Sequence, residues 1–360
     1  MNRTILLALV MTACTNKSET AEDLRGPLLE AWTETIILPL YEDFHAQADV
    51  LNQETTTLCS DFSEEQLSIV QSQWWATRTP WKRAEVFAFG PFREEPLRIG
   101  PKVDFWPART DDIEEMLTGD TDLSGDAVQS FGATLTGMPV IEYLLYEAED
   151  ESSVAFASDA RRCLYLIGLT ADLLVHAEQM NEAWQPDGGN YADAFINAGE
   201  NTEAFDSQQE SFSEVVNRMG FTIENIRNDK LGRPFGNSTG GNIQADKAES
   251  AFSGRSLTDI QDNLWGIKAL YWGIGDEDAM GLEDALLATG KNFTDESTER
   301  FTAADAAVFG IPEPLTTSVN NEEQSIQTAI DVLGDLQRHI QVDVANALAI
   351  SVSFNDTDGD

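Results

Sequence analysis

Apolar residues recur along this chain at the three- and four-residue spacing of α-helices that pack against a core. The clearest stripes follow Ser256 and Glu322, and their members are Leu257, Ile260, Leu264, Ile267 and Tyr271 in the first, and Ile326, Ile330, Leu333, Ile340, Val344 and Leu348 in the second. The sequence lacks convincing alternation of the kind that marks β-strands. The pattern therefore predicts an all-α protein, built from two packed helical bundles.

Helical periodicity covers most of the chain, over residues 24–58, 63–87, 111–117, 130–146, 158–184, 192–227, 256–271, 279–287 and 322–350. Prolines and glycines cluster at 89–109 and 231–241, which predicts long irregular connections there. We expect the boundary between the two bundles to lie between residues 185 and 245.

Local signals predict where some helices begin or break. Proline has no N–H for an internal helical hydrogen bond, so we expect the first helix to kink or divide at Pro39 and the second to break at Pro80. Ser63 is followed by Gln66, and Ser256 by Asp259, which is the spacing of a capping box. These signals predict helix starts at both serines.

The first residues indicate an export signal. Arg3 precedes a short apolar run at residues 5–11, which is too short to span a bilayer. Ala13 then stands directly before Cys14, which resembles the lipobox of bacterial lipoproteins. On this interpretation residues 1–13 are the signal peptide, Cys14 carries the lipid, 14–23 form a tether and 24–360 form the folded part. The alternative is an ordinary secretory peptide with an incidental cysteine.

The charge balance limits the classes of partner. The chain holds 63 acidic and 22 basic residues, with a net charge of −41 and a pI of about 4.1. Such a surface repels phosphate backbones, so nucleic-acid binding is excluded. The hydrophobic share of 42% provides a core and argues against a disordered chain.

Two cysteines follow Cys14 in the sequence. Export would permit a disulfide between Cys59 and Cys163. Neither cysteine belongs to a CxxC motif or has a histidine near it, and the helical pattern favours two separate buried thiols. Both alternatives stay open.

Common catalytic signatures do not fit. The chain has only three histidines, and none belongs to an HExxH motif. Gly254 and Ser256 begin like a nucleophile elbow, but Thr258 stands where that motif needs glycine. No catalytic residue is therefore assigned.

Four stretches, in order along the chain, together resemble the imelysin family. They are 74–91, which begins Trp74-Trp75-Ala76-Thr77-Arg78; 137–145; 230–257, with Lys230-Leu231-Gly232-Arg233-Pro234 and Ser253-Gly254-Arg255-Ser256-Leu257; and the ending 354–360. The resemblance implies a two-bundle, all-α fold, anchored to the outer membrane or free in the periplasm. It also implies a link to iron uptake or a metallopeptidase activity, since both are associated with the family.

The chain departs from the family's GxHxxE motif at its central position. It has Gly137, Pro139 and Glu142, so proline stands where the family has histidine. Proline offers no ligand atom, which weakens the peptidase interpretation. Pro139 suits the first turn of a helix, and the helix dipole would favour Glu142 there by about 0.3–1 kcal/mol. The functional alternative is that Glu142 lines a pocket between the bundles and binds a cation or a basic group.

Four other residues are candidates for ligand binding. Glu85 could share the pocket of Glu142, and Arg83 lies in the same matched stretch. Arg255, next to Ser256, could bind an anion or orient a carboxylate; alternatively, Ser256 caps the following helix while Arg255 forms a structural ion pair. Trp74, Trp75 and Trp81 are expected in the core or at the bundle interface rather than on a ligand.

The preferred hypothesis is a lipid-anchored, non-enzymatic binding or accessory protein of the cell envelope, linked to iron acquisition. It predicts an outer-membrane lipoprotein that faces the periplasm or the cell surface, with an envelope or iron-transport protein as partner. A metal ion, iron or another divalent cation, is the expected cofactor, with Glu142 as a ligand. The alternatives are an imelysin-type metallopeptidase and a structural envelope protein without a ligand site.

Overall fold

The structure is a computed structural model that describes residue 20 and residues 24–146, 160–200, 204–275 and 279–352. The signal peptide, Cys14, the tether to residue 23 apart from Thr20, and the acidic ending all lie outside these ranges. The first-half helices are α1 (Arg25–Trp32), α2 (Leu38–Ser60), α3 (Glu64–Ala84), α4 (Gly100–Val103), α5 (Thr110–Thr118), α6 (Gly125–Val128), α7 (Gly137–Tyr146), α8 (Ala160–Trp184) and α9 (Tyr191–Ile196).

The second half continues with α10 (Gln208–Asn225), α11 (Arg233–Phe235), α12 (Ser256–Trp272), α13 (Leu282–Ala288), α14 (Thr294–Phe309), α15 (Leu315–Asn321), α16 (Glu323–Arg338) and α17 (Ala345–Ala347). Three π-helical segments interrupt longer helices: π1 (Thr33–Ile37), π2 (Ile226–Gly232) and π3 (His339–Val344). Short 3₁₀ turns lie at Glu85–Phe87, Gly90–Phe92, Ala133–Leu135, Asn237–Thr239 and Ala245–Lys247. No strand occurs within the described ranges, so the all-α prediction is confirmed.

Two groups of helices share one continuous apolar core. In the first group α2 packs against α3 and α8, and α8 also contacts α6 and α7. In the second group α10 and α14 pack against α16, and α12 against α14. The contact between α3 and α12 joins the two groups. These helices can approach closely because Gly266 of α12 has no side chain, and a Cβ there would lie 2.2 Å from the carbonyl oxygen of Arg83. The boundary within 185–245 stays a prediction.

Neither proline breaks its helix. Pro39 is the second residue of α2, and π1 lies directly before it, where Leu38 N–H bonds to the carbonyl of Thr33. The wider π turn lets the helix pass the position at which Pro39 cannot donate. Pro80 stands inside α3, which continues to Ala84. The prediction of a break at Pro80 was wrong because burial of this helix outweighs one missing hydrogen bond.

The second half differs from the predicted pattern in two places. The predicted helix 192–227 is divided, since α9 ends at Ile196 and α10 begins at Gln208. Helices α14 and α15 were not predicted. Phe301, Ala304 and Val308 bury the apolar side of α14, but acidic and alanine residues around them dilute its pattern.

The two predicted capping boxes had different outcomes. Ser63 caps α3, since its hydroxyl accepts the N–H of Gln66 at 3.1 Å, whereas the Gln66 side chain turns to Glu54. Ser256 does not cap α12: it is the first helical residue, and its hydroxyl donates to the carbonyl of Glu249. Ser256 and Asp259 have the spacing of a capping box, but Ser256 is buried and its hydroxyl bonds to the Glu249 carbonyl instead of a helix N–H.

Cys59 and Cys163 form a disulfide, so the preference for separate thiols was wrong. The bond joins the end of α2 to the first turn of α8, and these helices pack along each other, which brings the two Cα atoms to 5.5 Å. No helix in the described part of the chain is both long and apolar enough to cross a bilayer.

Candidate functional site

A buried ion network lies where α3 meets α12. Five basic side chains face five acidic ones, and the members are Arg78, Lys82, Arg83, Lys230 and Arg255, with Glu85, Asp104, Glu249, Asp259 and Asp262. Charges of opposite sign are therefore equal in number. Burial of so many ions is tolerated only when each is paired and hydrogen-bonded.

Two cations of α3 lie at the centre of this network. The Arg78 guanidinium donates to three carboxylates, at 2.8 Å to Asp259, 3.0 Å to Glu249 and 3.1 Å to Asp104. One helical turn later, the Lys82 ammonium lies 2.6 Å from Asp104 and also contacts Glu85 and Glu249. Both side chains are buried, so α3 contributes two fully compensated charges to the interior.

Lys230 of π2 completes the same cluster from the other helical group. Its ammonium lies 2.8 Å from Glu85 and 2.9 Å from Glu249, and donates to Asn263 at 2.7 Å. Asn263 in turn donates to the Glu85 carboxylate at 2.6 Å and to the backbone carbonyl of Lys82 at 2.7 Å. Glu85 is thus held by two lysines and an amide.

Arg255 and Ser256 are structural members of the site. The Arg255 guanidinium pairs with Asp259, with Asp262 at 2.7 Å, and with the Thr79 hydroxyl at 2.7 Å. This is the structural ion pair that the sequence left open. Arg83 lies on the outer side, 3.0 Å from Asp262, with its guanidinium 4.5 Å from the ring of Trp265. Arg83 and Asp262 line an outer cavity of about 710 Å³, whereas Arg255 and Ser256 line neither this cavity nor the two described below.

The network favours the charged form of most of its members, although burial raises the pKa of Asp262 despite its contacts with Arg255 and Arg83. Burial opposes ionisation of Glu249, but its three cationic neighbours outweigh burial and keep its pKa well below the usual range. The pKa of the Asp259 carboxyl is lowered for the same reason, by Arg78 and Arg255. Burial also opposes the charge on Lys82, yet Asp104 and Glu249 raise its pKa. These groups therefore remain ionised at neutral pH.

Glu142 lies beside this network, and no cation from the described part of the chain is in direct contact with it. It is 3% exposed, and its carboxylate accepts the backbone N–H of Ser253 at 2.7 Å. Burial raises the pKa of Glu142 to about 7, although the Ser253 bond and the more distant Arg78 oppose the shift. Glu142 is consequently the acidic group of the site that changes charge near neutral pH.

The sequence around Glu142 explains its position. Gly137 begins α7 with a φ of +79°, and a Cβ there would lie 2.5 Å from the carbonyl oxygen of Val103 at the end of α4. This close approach places α7 next to Asp104, which follows α4. Pro139 occupies the first turn of α7, where its missing N–H leaves no hydrogen bond unmade. The helix-start expectation for Pro139 is confirmed, whereas Glu142 is the sixth residue of α7 and lies beyond the first turn, so the expectation that the helix dipole favours it was wrong.

Two cavities flank the network. The first, of about 490 Å³, is lined by Pro139 and Glu142 and by further acidic and aromatic side chains, namely Asp111, Glu114, Asp246, Trp106, Tyr143 and Phe252. The second, of about 500 Å³, is lined by Glu85 and Asp104 and by Arg93, Arg98, Arg218, Phe92 and Phe221. Glu85 and Glu142 therefore face different cavities, and the network lies between them.

Glu85, Asp104 and Glu249 offer carboxylate oxygens within 4.8 Å of one another, as in a metal site. The ammonium groups of Lys82 and Lys230 already lie at 2.6–2.9 Å from these oxygens. An ion placed there would have to displace two buried lysines, whose charges would then be unpaired. These residues therefore do not fit a metal.

Sequence analysis placed Glu85, Arg83, Arg255 and Ser256 near the site but missed most of their partners. The missed members are Arg78, Lys82, Asp104, Lys230, Glu249, Asp259 and Asp262. Several lie within the stretches that carried the family resemblance, which was the available signal. Asp104 lies in the proline-rich connection at 89–109, and no motif or periodic pattern there marked it as a site residue.

The fold agrees with comparisons to known proteins. The family model described as imelysin (peptidase M75) matches residues 37–340, and the chain belongs to this family. The iron-regulated protein A of Synechococcus elongatus is 23% identical over 344 residues, which cover 93% of this chain and 90% of the relative.

Two solved structures share the fold. A putative iron-regulated protein A precursor from Parabacteroides distasonis has a TM-score of 0.78 at 20% identity, covering 93% of this chain and 97% of that one. An imelysin-like protein from Psychrobacter arcticum has a TM-score of 0.74 at 19% identity, covering 93% and 98%. At these identities the likeness establishes the fold.

Proposed function

We propose that this chain is a lipid-anchored imelysin-family protein of the cell envelope that binds an iron-containing or other cationic ligand without catalysis. The observation that carries the proposal is Glu142. It is a buried carboxyl, uncompensated by direct ion pairing, at the wall of a cavity of about 490 Å³. An iron-related role is supported by the relative named for iron regulation.

The lining of the Glu142 cavity favours a cation. Asp111, Glu114 and Asp246 add carboxylates, of which Asp246 pairs with Lys247 at 2.8 Å and Glu114 lies 3.6 Å from Arg162. Arg78, which also lines the cavity, is already bound to three acidic partners. A positive ligand would therefore be attracted, and it would stabilise the charged form of Glu142. Hard oxygen donors of this kind suit iron and other hard cations.

Two features favour a binding role over the alternatives. Pro139 stands where the family motif has its histidine ligand. In the network, Lys82 neutralises Asp104 and Lys230 neutralises Glu85. A metallopeptidase centre therefore finds no support in this site. The two cavities and the uncompensated Glu142 equally disfavour a purely structural role.

The envelope location is supported by the lipobox-like sequence before Cys14 and by the Cys59–Cys163 disulfide, since such bonds persist in oxidising compartments. Replacement of Cys14, the proposed lipid-bearing residue, tests the membrane anchoring. We expect Cys14→Ser to move the protein from the membrane fraction to the soluble fraction, because the variant loses the attachment point of all the acyl chains that stable anchoring requires. An unchanged distribution would contradict lipid anchoring.

Ligand binding is tested by calorimetry on the full-length protein, with Fe²⁺ without oxygen and Fe³⁺ as its citrate chelate. We expect one tight site that Glu142→Gln abolishes at physiological salt. Glu323→Gln, which neutralises an exposed carboxyl on α16, is the matched control and should bind as the unaltered protein does. Weak, salt-sensitive binding that is equal in both variants would show that only the acidic surface takes up iron.

A further inference from the structure

A second constellation of ligand-type side chains lies far along the chain from Glu142, where α14 meets π3. Glu296 stands in the first turn of α14, and His339 and Asp343 belong to π3. The His339 Nδ1 atom lies 3.3 Å from an Asp343 oxygen and 3.9 Å from a Glu296 oxygen. Two donors bound to one ion at about 2.1 Å lie at most about 4 Å apart, so these distances match a shared metal.

The His339 imidazole is held with its Nδ1 atom toward the two carboxylates and its Nε2 atom toward Ser297. His339 is fully buried, and its Nε2 atom lies 2.9 Å from the Ser297 hydroxyl. Ser297 in turn hydrogen-bonds to the hydroxyl of Tyr271, and the ring of Phe293 stands perpendicular to the imidazole at 5.5 Å. Metal-binding histidines are typically held in this way through the nitrogen that does not bind the ion.

The hydroxyl pair allows the required tautomer. A hydroxyl both donates and accepts, so Ser297 can accept a proton from Nε2–H and donate its own to Tyr271. Without an ion, Nδ1 lies within hydrogen-bond distance of Asp343 at 3.3 Å; in the Nε2–H tautomer, it presents its lone pair to an ion held by the carboxylates. The buried imidazole is therefore a polar group aimed into the acidic pair, which makes the cluster more than a set of surface carboxylates.

The charges around the cluster are compatible with a dication. Arg300 donates to Glu296 Oε1, the same oxygen that lies 3.9 Å from His339 Nδ1, so a bound ion would share this carboxylate with the guanidinium. Glu296 is 43% exposed and Asp343 30% exposed, so the cluster can be reached from solvent. Cation uptake is favoured further by the net charge of −41.

We propose that Glu296, His339 and Asp343 bind a first-row divalent transition-metal ion that joins α14 to π3. An imidazole with two carboxylates suits Mn²⁺, Fe²⁺ or Zn²⁺, whereas Mg²⁺ and Ca²⁺ prefer oxygen ligands alone. This site is separate from Glu142 and does not depend on the function proposed above.

The test uses Zn²⁺ and the imidazole nitrogens of the full-length protein, observed by ¹H–¹⁵N NMR. The chain has only three histidines, so His45→Gln and His176→Gln assign the signals of His339. We expect one equivalent of Zn²⁺ to shift the Nδ1 signal of His339. Asp343→Asn should weaken the affinity by about tenfold or more, by loss of a ligand.

Asp331→Asn is the matched control, because it removes the same charge from an exposed position on α16. It should leave the Zn²⁺ affinity unchanged. A Zn²⁺ titration that shifts His45 or His176 instead of His339, or an equal affinity for Asp343→Asn and Asp331→Asn, would overturn the proposal.

Discussion

A single carboxyl, Glu142, distinguishes this site from an ordinary buried ion network. Its neighbours Glu249 and Asp259 are fixed in the charged form by direct cationic partners. Glu142 instead has one backbone N–H donor and a pKa raised by burial to about 7. The neutral form therefore dominates in slightly acidic solution, and the charged form requires a cation for full stabilisation.

The raised pKa of Glu142 predicts how stability depends on pH. The unfolded chain ionises this carboxyl near 4.5, whereas the folded protein keeps its proton up to about 7. The free energy of unfolding should therefore fall between these two values as pH rises, and the loss is complete above pH 7.

Glu142→Gln removes the free-energy cost of a buried carboxylate charge, and its amide oxygen can still accept the Ser253 N–H. Without added metal, we expect the variant to match the unaltered protein near pH 4.5 and to exceed its unfolding free energy by about 3 kcal/mol at pH 8. Denaturant unfolding at both pH values measures the difference. Equal stability at pH 8 would show that Glu142 is not buried in its charged form.

The sequence revealed some site residues and not others for physical reasons. Pro139 and Glu142 are local features of one helix start, so they could be placed from neighbours in the chain. The pairing of Arg78 with Asp259 joins residues 181 positions apart, and no local pattern indicates it. Lys82 and Lys230 look like ordinary surface charges in sequence, because nothing local shows that both are buried.

At the scale of elements, α3 carries the cations that bind the two helical groups together. Arg78 and Lys82 lie one turn apart on this helix, and their acidic partners come from α12 and from the segments that contain Asp104 and Glu249. The periodic pattern predicted the existence of α3 and α12. It could not predict their close contact, which depends on Gly266.

Loss of one central cation should weaken this junction. Lys82→Met would remove an ammonium that three carboxylates share, and Lys230 would remain for only two of them. We expect the variant to lower the free energy of unfolding by about 3–5 kcal/mol. Arg109→Gln is the control, because the Arg109–Asp112 pair is 3.7 Å apart and exposed, so its loss should cost less than about 1 kcal/mol. Similar losses in both variants would contradict a stabilising role for the buried network.

At the scale of the whole molecule, the disulfide closes the first helical group. Cys59 and Cys163 are separated by 104 residues, and the bond ties α2 to α8 beside their packed faces. The sequence predicted both helices, but it gave no information on their relative direction. The pairing therefore became visible only in three dimensions.

Removal of the disulfide should destabilise the protein through its unfolded state. We expect the Cys59→Ser, Cys163→Ser double variant to lose about 2–4 kcal/mol in guanidinium unfolding, because the open chain gains conformational freedom. Dithiothreitol should reduce the stability of the unaltered protein to the same degree and leave the double variant unchanged. An unaltered protein that is insensitive to the reductant, even after complete reduction, would contradict this prediction.

The most direct test of the account is proton release when iron binds at Glu142. Calorimetry in buffers of different ionisation enthalpy, on an Asp343→Asn background that removes the second proposed site, measures the protons displaced. At pH 7 the Glu142 carboxyl is half protonated, so binding should release about half a proton per iron, and at pH 8, where the carboxyl is mostly charged, only about a tenth of a proton. Equal proton release at the two pH values would contradict the role of Glu142 as the ligand-binding group.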